Sequence, residues 1–297
     1  MSFDTTKLLT PKDLANALGA SESSMRRWVD AGKIKMSRTA GGHRRIPLEE
    51  AIRFIRESGS PLVRPSLLGL PESSRISRKG LRDEDLLLEA LSFGDRNLAR
   101  SVVTGWFVEG RSLAEIFDQQ IATCLHRVGE LWEHEERGIL IEHRATEMCV
   151  EIIAELKRLL PQLAQDAPVS LGGAPGNDIY SVPTMMVGAV LLEAGYRDIN
   201  FGANTPISLL ADAAIEHDAK LVWVSVSVRA SDHVKSKIAL LARSLRERGT
   251  RLVLGGREVS SAAPEPLLDN TWVLESMTAL AEHVKQIKPE SNPGPSE

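Results

Sequence analysis

The sequence predicts a chain of three parts: a small basic helical module with a hairpin, an all-helical bundle, and a parallel, doubly wound α/β sheet. Three observations predict it. Residues 1–60 carry eleven Lys and Arg against seven Asp and Glu, or +4, so the remainder of a chain of net charge −4 carries −8. From Arg82 to about Leu163 the apolar residues keep helical spacing with few breakers. Beyond Ala174, short apolar runs alternate with helical stretches, the pattern of a parallel sheet covered on both faces. At 297 residues each part has enough chain to bury a core.

The basic module opens at Leu8-Leu9-Thr10-Pro11, where Thr10 caps a helix and Pro11 suits its first turn. Leu14, Ala15 and Leu18 form its apolar stripe and Gly19 ends it. Ser21 caps a second helix, with Met25, Trp28 and Val29 inward and Ser23, Ser24, Arg26 and Arg27 outward. Lys33–Pro47 alternates, turns at Gly41-Gly42 and returns through His43-Arg44-Arg45-Ile46, a hairpin pattern. Arg38, Thr39, His43, Arg44 and Arg45 make its tip basic. A third helix comes next, with Leu48, Ala51, Ile52 and Ile55 inward. Two helices, a basic wing and a third helix make a winged helix-turn-helix over residues 1–58, with double-stranded DNA as its partner. The stretch resembles the DNA-binding module of MerR-type regulators and excisionase-like proteins. Residues 59–80, rich in Pro, Ser and Gly, read as a linker with no coiled coil, so self-association into a homo-oligomer is assigned to the chain beyond residue 80.

Residues 81–165 read as a four-helix bundle. Trp132 near the end of its third helix is followed after nine residues by Glu142-His143. That spacing, with the approach LHRVGELW before it, resembles the cobalamin-binding module of light-sensing MerR-type regulators. The resemblance implies that Trp132 covers the upper face of the corrin and that Glu142 and His143 contact the adenosyl group of adenosylcobalamin. In that family a His follows the Trp. Here the place holds Glu133, with His134 one position on, a rotation of about 100° on a helix.

Residues 166–288 read as a flavodoxin-like (Rossmann-like) α/β domain, and 289–297 as a disordered tail. Strands are predicted near Pro175 and at Asp198–Phe201, Leu221–Ser225, Arg251–Leu254 and Trp272–Leu274. In open parallel sheets the ligand site lies at the carboxyl ends of the strands. Gly202-Ala203-Asn204-Thr205-Pro206, Ser225 and Gly255-Gly256 resemble the strand-end loops of cobalamin-binding domains, where close backbone approach needs small residues. The family's lower-ligand motif, Asp-x-His-x-x-Gly, aligns with Asp178-Ile179-Tyr180-Ser181-Val182-Pro183. Asp178 matches, Tyr180 takes the His place and Pro183 the Gly place. A phenol is protonated at neutral pH and a poor donor to cobalt, so a cobalamin here would have no protein His as lower ligand.

Cys124 and Cys149 lack metal spacing and read as reduced packing residues, and His217, His233 and His283 as solvated. There is no nucleophile–base constellation, phosphate loop or metal cluster, so no enzyme is expected. No signal peptide and no apolar run near the ~20 residues of a membrane span point to a cytoplasmic protein with no membrane partner. The functional expectation is a transcriptional regulator that senses a cobalamin, light-responsive in the manner of the family it resembles. The alternative is a cofactor-free regulator whose C-terminal domain serves oligomerisation or another ligand. A corrinoid-shuttling methyltransferase component is a third reading, against which the missing lower His and the DNA-binding head both count.

Overall fold

The computed structural model of the chain describes residues 8–70, 83–132 and 138–287. Glu133, His134, the second half of the linker and the tail from 289 lie outside the described residues. The chain divides into two units, Met1–Ala164 and Gln165–Glu297.

The first unit begins with β1 (Leu8–Leu9), α1 (Pro11–Leu18), α2 (Glu22–Asp30), β2 (Ser37–Arg38), β3 (Arg44–Pro47) and α3 (Leu48–Ser58). A capping box between Thr10 and Asp13 starts α1, and Gly19, with φ 63°, ends it in the left-handed conformation. Ser21 accepts from the Ser24 amide to start α2. β3 pairs with β2 as the predicted hairpin and also with β1, giving a three-stranded antiparallel sheet in the order β1-β3-β2. A two-residue strand is too short to show a period, so Leu8-Leu9 reads in sequence only as the approach to α1. Leu14, Met25, Ile46, Leu48 and Ile52 form the core, and Trp28 packs on Phe54 with ring centroids 5.0 Å apart.

The Pro-rich stretch does not leave this module at Gly59. The Val63 and Arg64 amides donate to the Ala17 carbonyl at 2.8 and 3.0 Å. A short 3₁₀ turn, Pro65–Leu68, then buries Leu68 and Leu70. Residues 63–70 thus belong to the winged module, contrary to their reading as linker. Composition marks Pro and Ser as breakers; it cannot show that two leucines among them find a core.

The bundle comprises α4 (Asp83–Phe93), α5 (Arg96–Val108), α6 (Leu113–Glu115), a π segment (Ile116–Ala122), α7 (Thr123–Trp132) and α8 (Gly138–Arg158). α6, the π segment and α7 run on without a break, so the predicted third helix is one rod with a widened middle. Trp106, Phe107, Phe117, Val128, Met148 and Ile153 fill the interior. Arg100 of α5 meets Glu155 of α8 at 2.6 Å with both side chains largely covered, and burial raises the Glu155 carboxyl above its ordinary range. Both cysteines are free and buried. Burial pushes the Cys124 thiol up to about 11 and the Cys149 thiol up to about 12, which makes them unreactive packing groups.

The second unit holds β4 (Val169–Gly173), α9 (Ser181–Glu193), β5 (Arg197–Asn200), α10 (Leu210–Glu216), β6 (Ala219–Ser225), α11 (Asp232–Arg246), β7 (Arg251–Gly255), β8 (Thr271–Leu274) and α12 (Met277–Gln286). The five strands are all parallel, in the order β5-β4-β6-β7-β8, so the strand order reverses between β4 and β6. Leu171, Val222, Val224, Leu252, Leu254, Ile238 and Leu241 form its core. Trp223 of β6 lies across Gly172 of β4, and its Nε1 donates to Asp198 of β5 at 2.9 Å. His283 is half-buried against Trp272, ring centroids 4.7 Å apart, and burial lowers its pKa. The solvated place predicted for it is therefore corrected: one face of α12 turns inward at that residue.

Candidate nucleic-acid interface and cofactor-binding residues

The predicted DNA-contacting residues fall on two neighbouring features of the winged module. On α2, Ser23, Arg26 and Arg27 are exposed and Ser24 is half-buried, with Arg27 Nη2 3.4 Å from the Ser24 hydroxyl. In the wing, Arg38, Thr39 and His43 are exposed and Arg44 and Arg45 half-buried. The turn is closed by the Thr39 amide donating to the His43 carbonyl at 2.9 Å and the Gly42 amide to the Thr39 carbonyl at 2.8 Å.

The register places Arg38 directly opposite Arg44. Like charges in that position destabilise a hairpin. Among the described residues Arg44 pairs with Asp30 of α2, at 4.0 Å and in the open, which relieves little.

Glu50 is a residue that sequence reasoning missed. It is 6% exposed. It accepts from the Lys35 amide at 2.6 Å and from Arg53 Nε at 2.8 Å. Arg53 Nη2 donates in turn to the Lys33 carbonyl at 2.8 Å. The first turn of α3 thereby grips the segment leading into the wing. Burial on its own raises the Glu50 carboxyl, but the hydrogen bonds from Arg53 and Lys35 outweigh it and hold the pKa below the ordinary 4.5. Nothing in the stretch LEEAIRFIRES separates this glutamate from the half-buried Glu49 beside it.

In the bundle, Trp132 is the last residue of α7. Glu142 and His143 are exposed near the start of α8, and neither has a hydrogen bond or ion pair to another described residue. Ile139 and Leu140 beside them are 60% and 69% exposed. α8 is fixed there by Arg144, whose Nη2 donates to the Ser92 carbonyl at the end of α4 at 2.6 Å. Its guanidinium fills the space a Cβ on Gly94 would need. The start of α8 thus presents two large apolar and two polar side chains to solvent.

In the α/β unit the residues gather at the carboxyl ends of β4, β6 and β7. Asp178 is fully buried. Its Oδ2 accepts from the Ser227 amide at 2.5 Å and its Oδ1 from the Tyr180 amide at 3.2 Å. Asp178 therefore ties the loop after β4 to the loop after β6, across the point where the strand order reverses. Asn204 reinforces the arrangement: its side chain accepts from the Asn177 amide at 3.0 Å and its amide donates to the Asp178 carbonyl at 2.9 Å. Tyr180 is the N-cap of α9, 44% exposed and without a side-chain cap bond. Pro183 sits in the first turn, where an amide has no intrahelical acceptor to lose. The loop thus runs straight into a helix. Arg257 lies 5.8 Å from the Tyr180 ring centroid, and its Nη2 donates to the Ser227 carbonyl at 3.1 Å.

Ser225 is buried at the end of β6, opposite Gly255. A Cβ on Gly256, whose φ is 105°, would strike the Val226 backbone, so that glycine is already required by the packing of the chain itself. The Ser227 hydroxyl is buried with no hydrogen-bond partner, a polar group that a ligand at the strand ends would satisfy. Among the described residues, the strand ends thus keep one buried hydroxyl, that of Ser227, without a partner, and Tyr180 exposed beside them. No group of His, Cys, Asp and Glu able to hold a metal occurs among the described residues, and no described helix is long and apolar enough to cross a membrane.

Comparison with known proteins bears on this arrangement. Residues 8–58 match the family model of a helix-turn-helix domain and residues 84–157 that of a B12 binding domain. The chain joins a helix-turn-helix domain to a B12 binding domain. The helix-turn-helix domain is the winged module, with Leu8-Leu9 included; the B12 binding domain is the bundle that carries Trp132, Glu142 and His143. The dimethylamine corrinoid protein of Methanosarcina barkeri is 22% identical over 171 residues, 57% of this chain and 80% of that protein. The structure of the monomethylamine corrinoid protein of the same organism matches with a TM-score of 0.50 at 16% identity, over 69% of this chain and all of the other, a likeness of fold. A cobalamin-binding protein of Desulfitobacterium hafniense matches at 15% identity with a TM-score of 0.34, over 71% of this chain and all of that one.

Proposed function

We propose that the chain is a DNA-binding transcriptional regulator that takes up a cobalamin through its bundle and α/β unit and alters its assembly and DNA binding in response. The observation that carries this reading is the union, in one chain, of a helix-turn-helix domain whose wing holds opposed arginines and a B12 binding domain whose Glu142 and His143 stand exposed beside Ile139 and Leu140. Trp132 at the end of α7 and the Glu142-His143 pair are the groups that resemble the cap over an adenosyl group. Ser227 at the strand ends supplies a buried hydroxyl. When bound, adenosylcobalamin supplies the light-labile group, so a response to light belongs to this proposal, as does a cytoplasmic homo-oligomer.

The lower-ligand position is where the proposal departs from the family it resembles. Asp178 spends its carboxylate on the Ser227 and Tyr180 amides, and no histidine stands near it in sequence. The cofactor is therefore held without a protein His. The same closed loop favours the second reading, a cofactor-free module that serves assembly or another ligand. The third reading, a corrinoid-shuttling methyltransferase component, fits least, because that chemistry leans on the missing histidine.

Protein incubated with adenosylcobalamin in the dark and desalted decides between the first two. A retained corrinoid absorbance that differs from a His-ligated spectrum supports the sensor. A colourless protein leaves the cofactor-free module as the better account.

A further inference from the structure

The last turn of α3 holds a contact that neither the wing nor the cofactor residues use. Arg56 Nη1 donates to the carbonyl of Phe107 and, at 3.0 Å, to that of Arg111. Its guanidinium carbon lies 3.8 Å over the Phe107 ring. Phe107 and Arg111 flank the C-terminal end of α5, where the helix macrodipole concentrates negative potential, and the Phe107 carbonyl also accepts the Gly110 amide at 3.1 Å. One side chain of the winged module thus holds the end of a bundle helix by two hydrogen bonds and a cation–π contact. A guanidinium suits the place because one of its NH2 groups serves two acceptors while its face rests on a ring. Earlier on the same helix, three and six residues before Arg56, Arg53 and Glu50 hold the base of the wing.

We propose that Arg56 is a positioning residue that fixes the DNA-binding head on the bundle, and that α3, gripping the wing at one end and α5 at the other, carries the bundle's state to the head. Because the carbonyls offered to Arg56 belong to the end of α5, any shift of α5 within the bundle displaces or breaks the clasp. The wing, tied to the same rigid helix, moves with it. The coupling part rests on the regulatory reading above; the clasp itself does not.

The test uses the full chain with spin labels at Lys12→Cys and Glu147→Cys, both exposed; the native cysteines are buried and do not take label. Distances between the labels are measured by double electron–electron resonance, and affinity for a fluorescein-labelled mixed-sequence duplex at low salt is measured with and without adenosylcobalamin in the dark. The expected result is one narrow distance distribution that is lost in Arg56→Ala. Wild-type Kd is expected to depend on adenosylcobalamin, and this dependence to vanish in the variant. Arg56→Gln, which keeps the inner stem of the side chain but not the reach or the guanidinium, provides a second variant should the alanine fail to fold. A distribution as narrow in the folded variants as in wild type, or one already broad in wild type, overturns the clasp. A wild-type Kd indifferent to adenosylcobalamin sinks the cobalamin-sensing reading instead, while the spin-label distances still decide Arg56.

Discussion

At the scale of single residues, charge and hydrogen bonding separate recognition from support. Arg44 and Arg45 sit in the wing, where the contacts of a winged module are mainly to phosphate. Replacing either with Ala should weaken binding to all sequences alike and flatten the salt dependence by ~1 in log–log slope. Ser24→Ala or Arg27→Ala, on the helix placed to enter the major groove, should instead change sequence preference. Titrating affinity against salt on several duplexes distinguishes the two, and an unchanged slope in the wing variants would disprove the assignment. Glu50 acts one step back. Its Arg53 and Lys35 partners hold it ionised in the fold, so its pKa is depressed relative to the unfolded chain. The stability it contributes is present above the ordinary 4.5 and is lost as pH falls through the lower folded value. Glu50→Gln should cost about 1–3 kcal/mol at neutral pH and remove that acid-side loss; urea titrations at neutral and acid pH check both. At the strand ends, Tyr180→Phe should leave uptake of adenosylcobalamin nearly intact, because the phenol has no hydrogen-bond role in the cap of α9. Trp132→Ala should abolish it. Equal loss in both would show that the tyrosine is a ligand after all. Of these residues, the basic ones and the Trp–Glu–His spacing were legible in the sequence because they lie on local, periodic elements. Glu50 was not, since its partners are set by how the chain folds back on itself.

At the scale of elements, the bundle and the extended winged module each make a prediction. Arg100 and Glu155 join α5 to α8 in a nearly covered site. Removing one partner strands the other, so Arg100→Met or Glu155→Leu alone should destabilise by about 3–5 kcal/mol, while the double replacement should approach neutral. Denaturant unfolding of all four proteins checks this, and additive losses would exclude a coupled pair. The packing of residues 63–70 on α1 implies that a fragment ending at Ser60 is missing part of its own core. Fragments of residues 1–60 and 1–70 should differ by several degrees in Tm, since Leu68 and Leu70 are buried and each such side chain is worth ~2 kcal/mol. Indistinguishable melting curves would return that stretch to the linker. Helices and strands here follow from periodicity, caps and glycines. The 3₁₀ turn does not, because burial of two leucines among prolines leaves no repeating pattern to read.

At the scale of the whole molecule, a helix-turn-helix domain and a B12 binding domain occupy separate parts of one chain, and on the proposed function assembly should connect them. A single winged module covers one short half-site, so the full chain should bind paired half-sites more tightly than residues 1–70 do, through effective concentration in an oligomer. Equal affinity of the two proteins for a two-site probe would mean that the rest of the chain brings no second head. The three-part architecture, the positions of the longer helices and of the parallel strands, the basic wing and the absence of a histidine at the aligned lower-ligand place are determined by the sequence itself, because each is written in local composition, in a period of two or 3.6 residues, or in the identity at one aligned position. The tertiary structure alone decides which carboxylates are spent and which are free. Asp178 reaches the Ser227 amide 49 residues away, and Arg56 reaches the end of α5 across 51. Such bonds depend on where distant backbone groups come to rest after the cores have packed, and a linear pattern carries no period for a distance closed in space.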